Sequence, residues 1–148
     1  MSEPDRRTLL IVDDNHALAD NLGEILADAG YLVRHAASCA AALADKSPFC
    51  VALVDVRLPD GNGITLAEQL KERQPDSEVI FLTGFATLES ATAAVRSGAW
   101  AYLIKPCSPD ELLLAVRQAV RSVAHTEEKR QRARRRGTSD AGPWHLPF

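Results

Sequence analysis

Residues 9–14 read Leu-Leu-Ile-Val-Asp-Asp, a short apolar run that ends in two adjacent acids. Three further apolar runs of similar length occur at residues 51–54, 79–82 and 102–104. Runs this short, rich in Val, Ile and Leu, indicate strands that are buried on both faces of a parallel sheet. The chain is therefore expected to build its core around parallel strands.

Five polar residues stand at or just after the ends of these runs: Asp13, Asp14, Asp55, Thr83 and Lys105. In parallel α/β sheets, ligands bind outside the carboxyl ends of the strands. Three carboxylates on one rim repel one another unless a cation joins them, and Mg²⁺ prefers oxygen ligands of this kind. The pattern therefore predicts a site for Mg²⁺ and a phosphoryl group, with Asp55 as the candidate nucleophile toward phosphorus.

Segments with helical apolar spacing separate the strands, so strand and helix alternate five times. This alternation predicts an α/β fold with a doubly wound, five-stranded parallel sheet and helices on both faces. The second strand, about residues 31–36, is less apolar and is expected at an edge of the sheet, whereas residues 57–63 are dense in turn formers. The predicted helices cover about residues 15–29, 39–46, 64–73, 88–97 and 109–123.

Composition narrows the class of protein. The chain has 148 residues, of which 46% are apolar, and this is enough for one domain with a real core. No stretch approaches the roughly 18 apolar residues of a membrane span, and the N-terminus lacks a signal-peptide pattern, so we expect a cytoplasmic protein without membrane contact. The three cysteines contain no CxxC spacing, which argues against a zinc site or a disulfide framework.

Charge is unevenly distributed along the chain. Six cations from Lys129 to Arg136 give this stretch a charge of +6. Because the net charge of the chain is −3, the charges of all other residues sum to −9. We predict an N-terminal tail at 1–7, one domain at 8–125, and a basic helical extension with a flexible tail at 126–148, irregular from Gly137 onward. The basic stretch has no interleaved aromatic residues and no helix-turn-helix beyond it, which argues against direct DNA binding and favours a solvated helix or linker.

From Thr8 to Val123 the chain resembles the CheY-like receiver domains of bacterial two-component and phosphorelay systems. The resemblance rests on four segments: IVDDN at 11–15, LVDVRLPDGNG at 53–63, FLTG at 81–84 and GAWAYLIKP at 98–106. It implies the flavodoxin-like (βα)5 receiver fold with strand order 2-1-3-4-5, and a cis peptide bond between Lys105 and Pro106.

The resemblance also implies a role for each site residue. Asp55 would accept a phosphoryl group from a histidine kinase or a phosphotransfer protein. The implied Mg²⁺ ligands are Asp13, Asp14, Asp55 and the backbone carbonyl of Arg57. Thr83 and Lys105 would contact the phosphoryl oxygens, and Tyr102 would turn inward as Thr83 moves.

The implied function is a switch that changes only its own phosphorylation, not an enzyme with turnover. Phosphorylation would alter the surface of the fourth helix, the fifth strand and the last helix, which would control a partner or output domain or form a phosphorylation-dependent homodimer. One alternative is an Mg²⁺-dependent phosphatase with an Asp nucleophile, although such enzymes usually carry Asp where this chain has Arg57. Another is the receiver part of a larger hybrid kinase or transcription regulator.

Overall fold

The structure, a computed structural model, describes the backbone of residues 7–140 and the side chains of residues 7–136. The predicted N-terminal tail, apart from Arg7, and residues 141–148 of the predicted C-terminal tail lie outside the described residues. The strands are β1 (Thr8–Val12), β2 (Leu32–Ala36), β3 (Val51–Val54), β4 (Arg57–Leu58), β5 (Gly61–Asn62), β6 (Glu78–Thr83) and β7 (Ala101–Ile104). The helices are α1 (His16–Asp28), α2 (Cys39–Ala44), α3 (Gly63–Arg73), α4 (Leu88–Arg96) and α5 (Pro109–Asp140).

Five strands form one parallel sheet in the order β2-β1-β3-β6-β7. When only these five are counted, the order is 2-1-3-4-5, so the predicted α/β class and strand order are confirmed. The edge position predicted for the second strand is also correct. Val12 of β1 lies opposite Val54 of β3, which places the residues after both strands side by side.

The core forms two layers, one on each face of the sheet. Successive side chains of a strand point to opposite faces, so Leu10 and Val12 join one layer and Leu9 and Ile11 the other. The first layer packs against α2, α3 and α4, and the second against α1 and α5. Because both faces are covered, β1 is buried along most of its length, as its uninterrupted apolar sequence predicts.

Three local features differ from the sequence prediction. The turn-rich segment 57–63 contains a two-stranded antiparallel hairpin of β4 and β5. Helix α2 ends at Ala44 rather than near Lys46, because the Asp45 carboxylate accepts hydrogen bonds from the Ser47 N–H at 3.0 Å and from Arg34 Nε at 2.8 Å. The predicted irregular segment from Gly137 is wrong for residues 137–140, which continue α5, since an existing helix extends without a new nucleus.

The Lys105–Pro106 peptide bond is cis, as predicted. None of the helices between residues 7 and 140 combines the length and the apolar character that a membrane span requires.

Candidate functional site

Three carboxylates meet at the carboxyl ends of β1 and β3. Ligand atoms of Asp13, Asp14 and Asp55 all lie within 4.8 Å of one another. Asp13 and Asp55 are 3% and 7% exposed, whereas Asp14 is exposed to solvent. The pocket therefore has two buried acids at its base and one acid at its mouth.

Lys105 contributes a cation to this pocket. Its Nζ lies 2.7 Å from Asp13 Oδ2 and 3.0 Å from Asp55 Oδ2. Burial acts to lower the pKa of Lys105, but the hydrogen bonds to Asp13 and Asp55 and the charges of both acids outweigh burial and raise the pKa above its ordinary value. Lys105 is therefore an ammonium ion that bridges the two buried acids.

The charge of the pocket fits a divalent cation. One ammonium against three carboxylates leaves two negative charges, which a cation such as Mg²⁺ would neutralise. Carboxylate oxygens are also the hard ligands that Mg²⁺ prefers. No second group of three or more metal-binding side chains occurs among residues 7–136. This acidic pocket could bind a metal ion, as the sequence pattern predicts.

The backbone orients both buried carboxylates. Asp13 Oδ1 accepts a hydrogen bond from the Asn15 N–H at 2.9 Å, and Asp55 Oδ1 accepts one from the Arg57 N–H at 3.2 Å. Asp and Asn side chains often make such bonds to backbone two residues onward. The Asp55 N–H also donates to the Val12 carbonyl at 2.9 Å, so the β1–β3 ladder continues into the pocket.

Thr83 and Tyr102 lie nearby, but neither side chain hydrogen-bonds to the acids or to Lys105. Thr83 is the last residue of β6, is fully buried, and accepts a hydrogen bond at Oγ1 from the Phe85 N–H at 3.1 Å. Tyr102 lies on β7 and is partly buried, with its hydroxyl oxygen 2.5 Å from Ser90 Oγ. The structure thus brings the four charged residues together and connects the two hydroxyl side chains to α4 and the loop before it.

Sequence reasoning missed an aromatic contact beside the pocket. The guanidinium of Arg57 lies over the ring of Phe85, 4.4 Å from its centroid. Both residues line an open cleft of about 750 Å³ between the loops that follow β3 and β6. Each stands two positions beyond a predicted site residue, Asp55 or Thr83, and this shared offset is the signal that could have revealed the contact.

The sheet and the pocket together define a class of protein. The pocket lies between β1 and β3, where neighbouring strands lead to helices on opposite faces, and ligand sites of doubly wound α/β domains lie at this switch point. The family model of the response regulator receiver domain matches residues 9–117. The chain therefore belongs to the response regulator receiver domains of two-component systems.

Relatives and solved structures agree with this assignment. The photosynthetic apparatus regulatory protein RegA of Cereibacter sphaeroides is 39% identical over 112 residues, which cover 74% of this chain and 61% of RegA. The alginate biosynthesis transcriptional regulatory protein AlgB of Pseudomonas aeruginosa is 37% identical over 109 residues, which cover 72% of this chain and 24% of AlgB. This chain thus spans less than two thirds of either relative.

The fold has a near counterpart among solved structures. A CheY-like response regulator receiver domain protein from Methanospirillum hungatei JF-1 superimposes with a TM-score of 0.79 at 34% identity, covering 82% of this chain and 99% of that one.

Proposed function

We propose that this chain is a phosphorylation switch in which Asp55 accepts a phosphoryl group from a histidine kinase or a phosphotransfer protein. The observation that carries the proposal is the Lys105 ammonium between Asp13 and Asp55, in a pocket whose third acid faces solvent. Receiver domains are generally signalling domains rather than enzymes, and the proposal assigns no turnover of other substrates.

The proposed reaction uses groups that the structure holds in place. An Asp55 carboxylate oxygen forms a bond to phosphorus while the nitrogen–phosphorus bond of the donor's phosphohistidine breaks, and the electron pair stays on the donor imidazole. Lys105 Nζ, already 3.0 Å from Asp55 Oδ2, can donate to the phosphoryl oxygens. When bound, Mg²⁺ would supply further positive charge against these oxygens. Its proposed ligands are Asp13, Asp14, Asp55 and the backbone carbonyl of Arg57.

We propose that Thr83 and Tyr102 respond to the new charge. A phosphoryl group adds about −1.5 to −2 charge near neutral pH. The Thr83 hydroxyl would turn from the Phe85 N–H toward a phosphoryl oxygen, and Tyr102 would give up its contact with Ser90 as it moves inward. The Thr83 contact is with the loop before α4 and the Tyr102 contact is with α4 itself, so their loss would change the surface around that helix.

The proposed output surface consists of α4, β7 and α5. It carries four exposed apolar side chains, which are Leu88, Val95, Ile104 and Leu114. Exposed apolar groups of this kind favour binding of a partner or of a second copy. Since AlgB is a transcriptional regulatory protein, we propose that the output is control of transcription, through a separate partner or an attached output domain. The proposed location of this switch is the cytoplasm. The receiver would span residues 8–125 and the extension residues 126–148.

Beryllofluoride with Mg²⁺, a mimic of the phosphoryl group, tests the proposal directly. Amide resonances are recorded by NMR with and without the mimic for the wild type, Asp55→Asn and Asp28→Asn. We expect large shifts around Asp55, Ser90 and Tyr102 in the wild type and in Asp28→Asn, because Asp28 is an exposed acid on α1. Asp55→Asn should not respond. A wild type without shifts, or the same shifts in Asp55→Asn, would contradict the proposal.

A further inference from the structure

His35 makes a contact with the acidic pocket that the sequence did not predict. It lies near the end of β2, and its Nε2–H donates to the backbone carbonyl of Asp13 at 2.8 Å. That carbonyl belongs to the peptide unit that joins Asp13 to Asp14. We propose that His35 is a positioning residue that fixes this peptide unit and thereby sets the two carboxylates for Mg²⁺, an inference that rests on the proposed function.

The end of β2 explains why a side chain is needed here. The Asp13 N–H donates to the Ala36 carbonyl at 3.0 Å, as a continuing parallel ladder requires. In such a ladder the next donor, to the Asp13 carbonyl, would be the Ser38 N–H. Ser38 instead caps α2, where its side chain accepts from the Ala41 N–H at 3.0 Å. The imidazole of His35 takes the place of the missing strand donor.

Asp14 depends on its backbone more than Asp13 does. The Asp13 carboxylate is fixed at Oδ1 by the Asn15 N–H and at Oδ2 by Lys105. Among residues 7–136, no hydrogen bond or ion pair holds the Asp14 carboxylate. Because a peptide unit is planar, the orientation of the Asp13 carbonyl also sets the direction in which the chain enters Asp14. The contact from His35 therefore limits where the Asp14 carboxylate can lie.

His16 also contacts the His35 ring. The two imidazole rings meet edge to face, with centroids 5.3 Å apart and planes at 83°. His16 is the first residue of α1 and follows Asp14 by two positions. The ring of His35 thus contacts both ends of the segment that carries the two acids. Because the His35 side chain is itself exposed, replacing it removes little from the core.

Isothermal titration calorimetry with MgCl₂ alone measures the proposed effect on Mg²⁺ binding without phosphorylation. We expect His35→Phe to weaken Mg²⁺ binding about ten-fold, in the range found when groups that orient metal ligands are lost. His35→Gln should stay near the wild type, because its amide nitrogen reaches the position of Nε2. His35→Asn has the same chemistry but is too short and should resemble His35→Phe. His125→Phe, the same change at an exposed position on α5, is the matched control and should bind as the wild type does.

Two reference proteins separate this inference from the proposed function. A wild type that takes up no Mg²⁺ would overturn both. If the wild type binds Mg²⁺ and Asp14→Asn does not, but His35→Phe is unchanged, only the inference fails. Thermal unfolding without Mg²⁺ is measured on the same variants. A loss of affinity shared by His35→Phe, His35→Gln and His35→Asn, in proportion to lost stability, would assign His35 a merely structural role and would also overturn the inference.

Discussion

At the scale of single residues, Gly63 shows how closely the backbone packs around the acceptor. A Cβ at this position would lie 2.0 Å from the carbonyl oxygen of Asp55, and the Gly63 N–H donates to the Val56 carbonyl at 2.7 Å. The start of α3 and the end of β3 are therefore in direct backbone contact. Any side chain at residue 63 must displace the peptide that carries Asp55.

We predict that Gly63→Ala lowers the free energy of unfolding by about 1–3 kcal/mol, since a rigid backbone must move to admit the methyl group. Urea unfolding measures this loss. Phosphorylation of Asp55 by a small-molecule donor should also slow, because the acceptor shifts.

Gly61→Ala is the matched control for this change. Its Cβ would meet Cys39 Sγ at 3.3 Å, and that sulfur ends a side chain that can turn away. Its stability should stay within about 0.5 kcal/mol of the wild type. Equal losses in the two variants would show that the close approach to Asp55 is not the cause.

The charged residues of the site could be predicted because each stands at the end of a recognisable strand. Asp13, Asp55 and Lys105 needed only the rule that parallel strands share one rim. Gly63 and His35 could not be predicted in this way. Turn formers do not reveal which glycine touches another backbone, and the contact of His35 depends on where β2 stops relative to the next helix.

At the scale of elements, Arg34 ties the edge strand β2 to the segment after α2. Its Nε lies 2.8 Å from Asp45 Oδ2, and its other nitrogens donate to the carbonyls of Ser47 at 2.8 Å and Pro48 at 3.0 Å. A charged residue on an edge strand also discourages pairing with another chain. In the sequence, Arg34 falls in a predicted strand of low apolar content, but this pattern could not reveal its partners.

The same contact predicts a dependence of stability on pH. The hydrogen bond from Arg34 holds the pKa of Asp45 below its ordinary value of 3.8. The carboxylate therefore stabilises the fold above pH 3.8, and this contribution is lost as pH falls through the lower pKa of the folded state. We expect Asp45→Asn to lower the free energy of unfolding by about 1 kcal/mol at neutral pH and by progressively less as pH falls below 3.8.

Urea unfolding of both proteins across this pH range measures the difference. Asp28→Asn, at an exposed acid on α1, is the control and should show little change at any pH. A difference for Asp45→Asn that stayed constant with pH would exclude the carboxylate as its source.

The N-terminus of α4 joins the proposed switch through one hydroxyl. Ser90 Oγ accepts from the Thr87 N–H at 3.2 Å, while the Ser90 N–H donates to Thr87 Oγ1 at 3.0 Å, so the two residues form a reciprocal cap. The same Ser90 Oγ lies 2.5 Å from the Tyr102 hydroxyl. In a sequence, such a cap is usually indicated by Glu or Gln three residues after the capping Ser or Thr. Ser90 stands at that position here, so the sequence does not indicate this cap.

We predict that Ser90→Ala and Tyr102→Phe are coupled in the resting protein. Their combined effect on the free energy of unfolding should differ from the sum by about 0.5–1.5 kcal/mol, the net value of one hydrogen bond. With beryllofluoride and Mg²⁺ the coupling should fall toward zero, because Tyr102 would have left Ser90. Urea unfolding of the double-mutant cycle measures both states. Tyr31→Phe paired with Ser90→Ala is the control and should be additive, because Tyr31 packs against the core layer on the other face of the sheet.

At the scale of the whole molecule, α5 separates the two charged regions. It begins four residues after Lys105 and runs back along the sheet, where Ser122 Oγ donates to Glu78 Oε2 at 3.2 Å at the start of β6. The basic stretch from Lys129 to Arg136 therefore lies at the end of the sheet opposite the acidic pocket. Apolar spacing alone predicted the docked helix only to Val123, because beyond that residue ion pairs replace apolar contacts.

Two of these ion pairs hold the beginning of the extension against the domain. Arg130 lies 2.6 Å from Asp76 Oδ1 in the turn before β6, and Glu127 lies 3.1 Å from Arg7 just before β1. Arg132 differs, since its contact at 3.7 Å is with Glu128 of the same helix. Comparing variants of Arg130 and Arg132 therefore distinguishes contacts between the helix and the domain from contacts within the helix.

We predict that Arg130→Ala speeds amide hydrogen exchange in residues 124–133 by up to about five-fold, which corresponds to about 1 kcal/mol for a partly exposed ion pair. Arg132→Ala removes a similar charge but no contact with the domain, so exchange there should change less. About 1 M NaCl should reduce the difference between the variants, because salt screens exposed pairs. Equal exchange in both variants would mean that the extension gains no stability from Asp76.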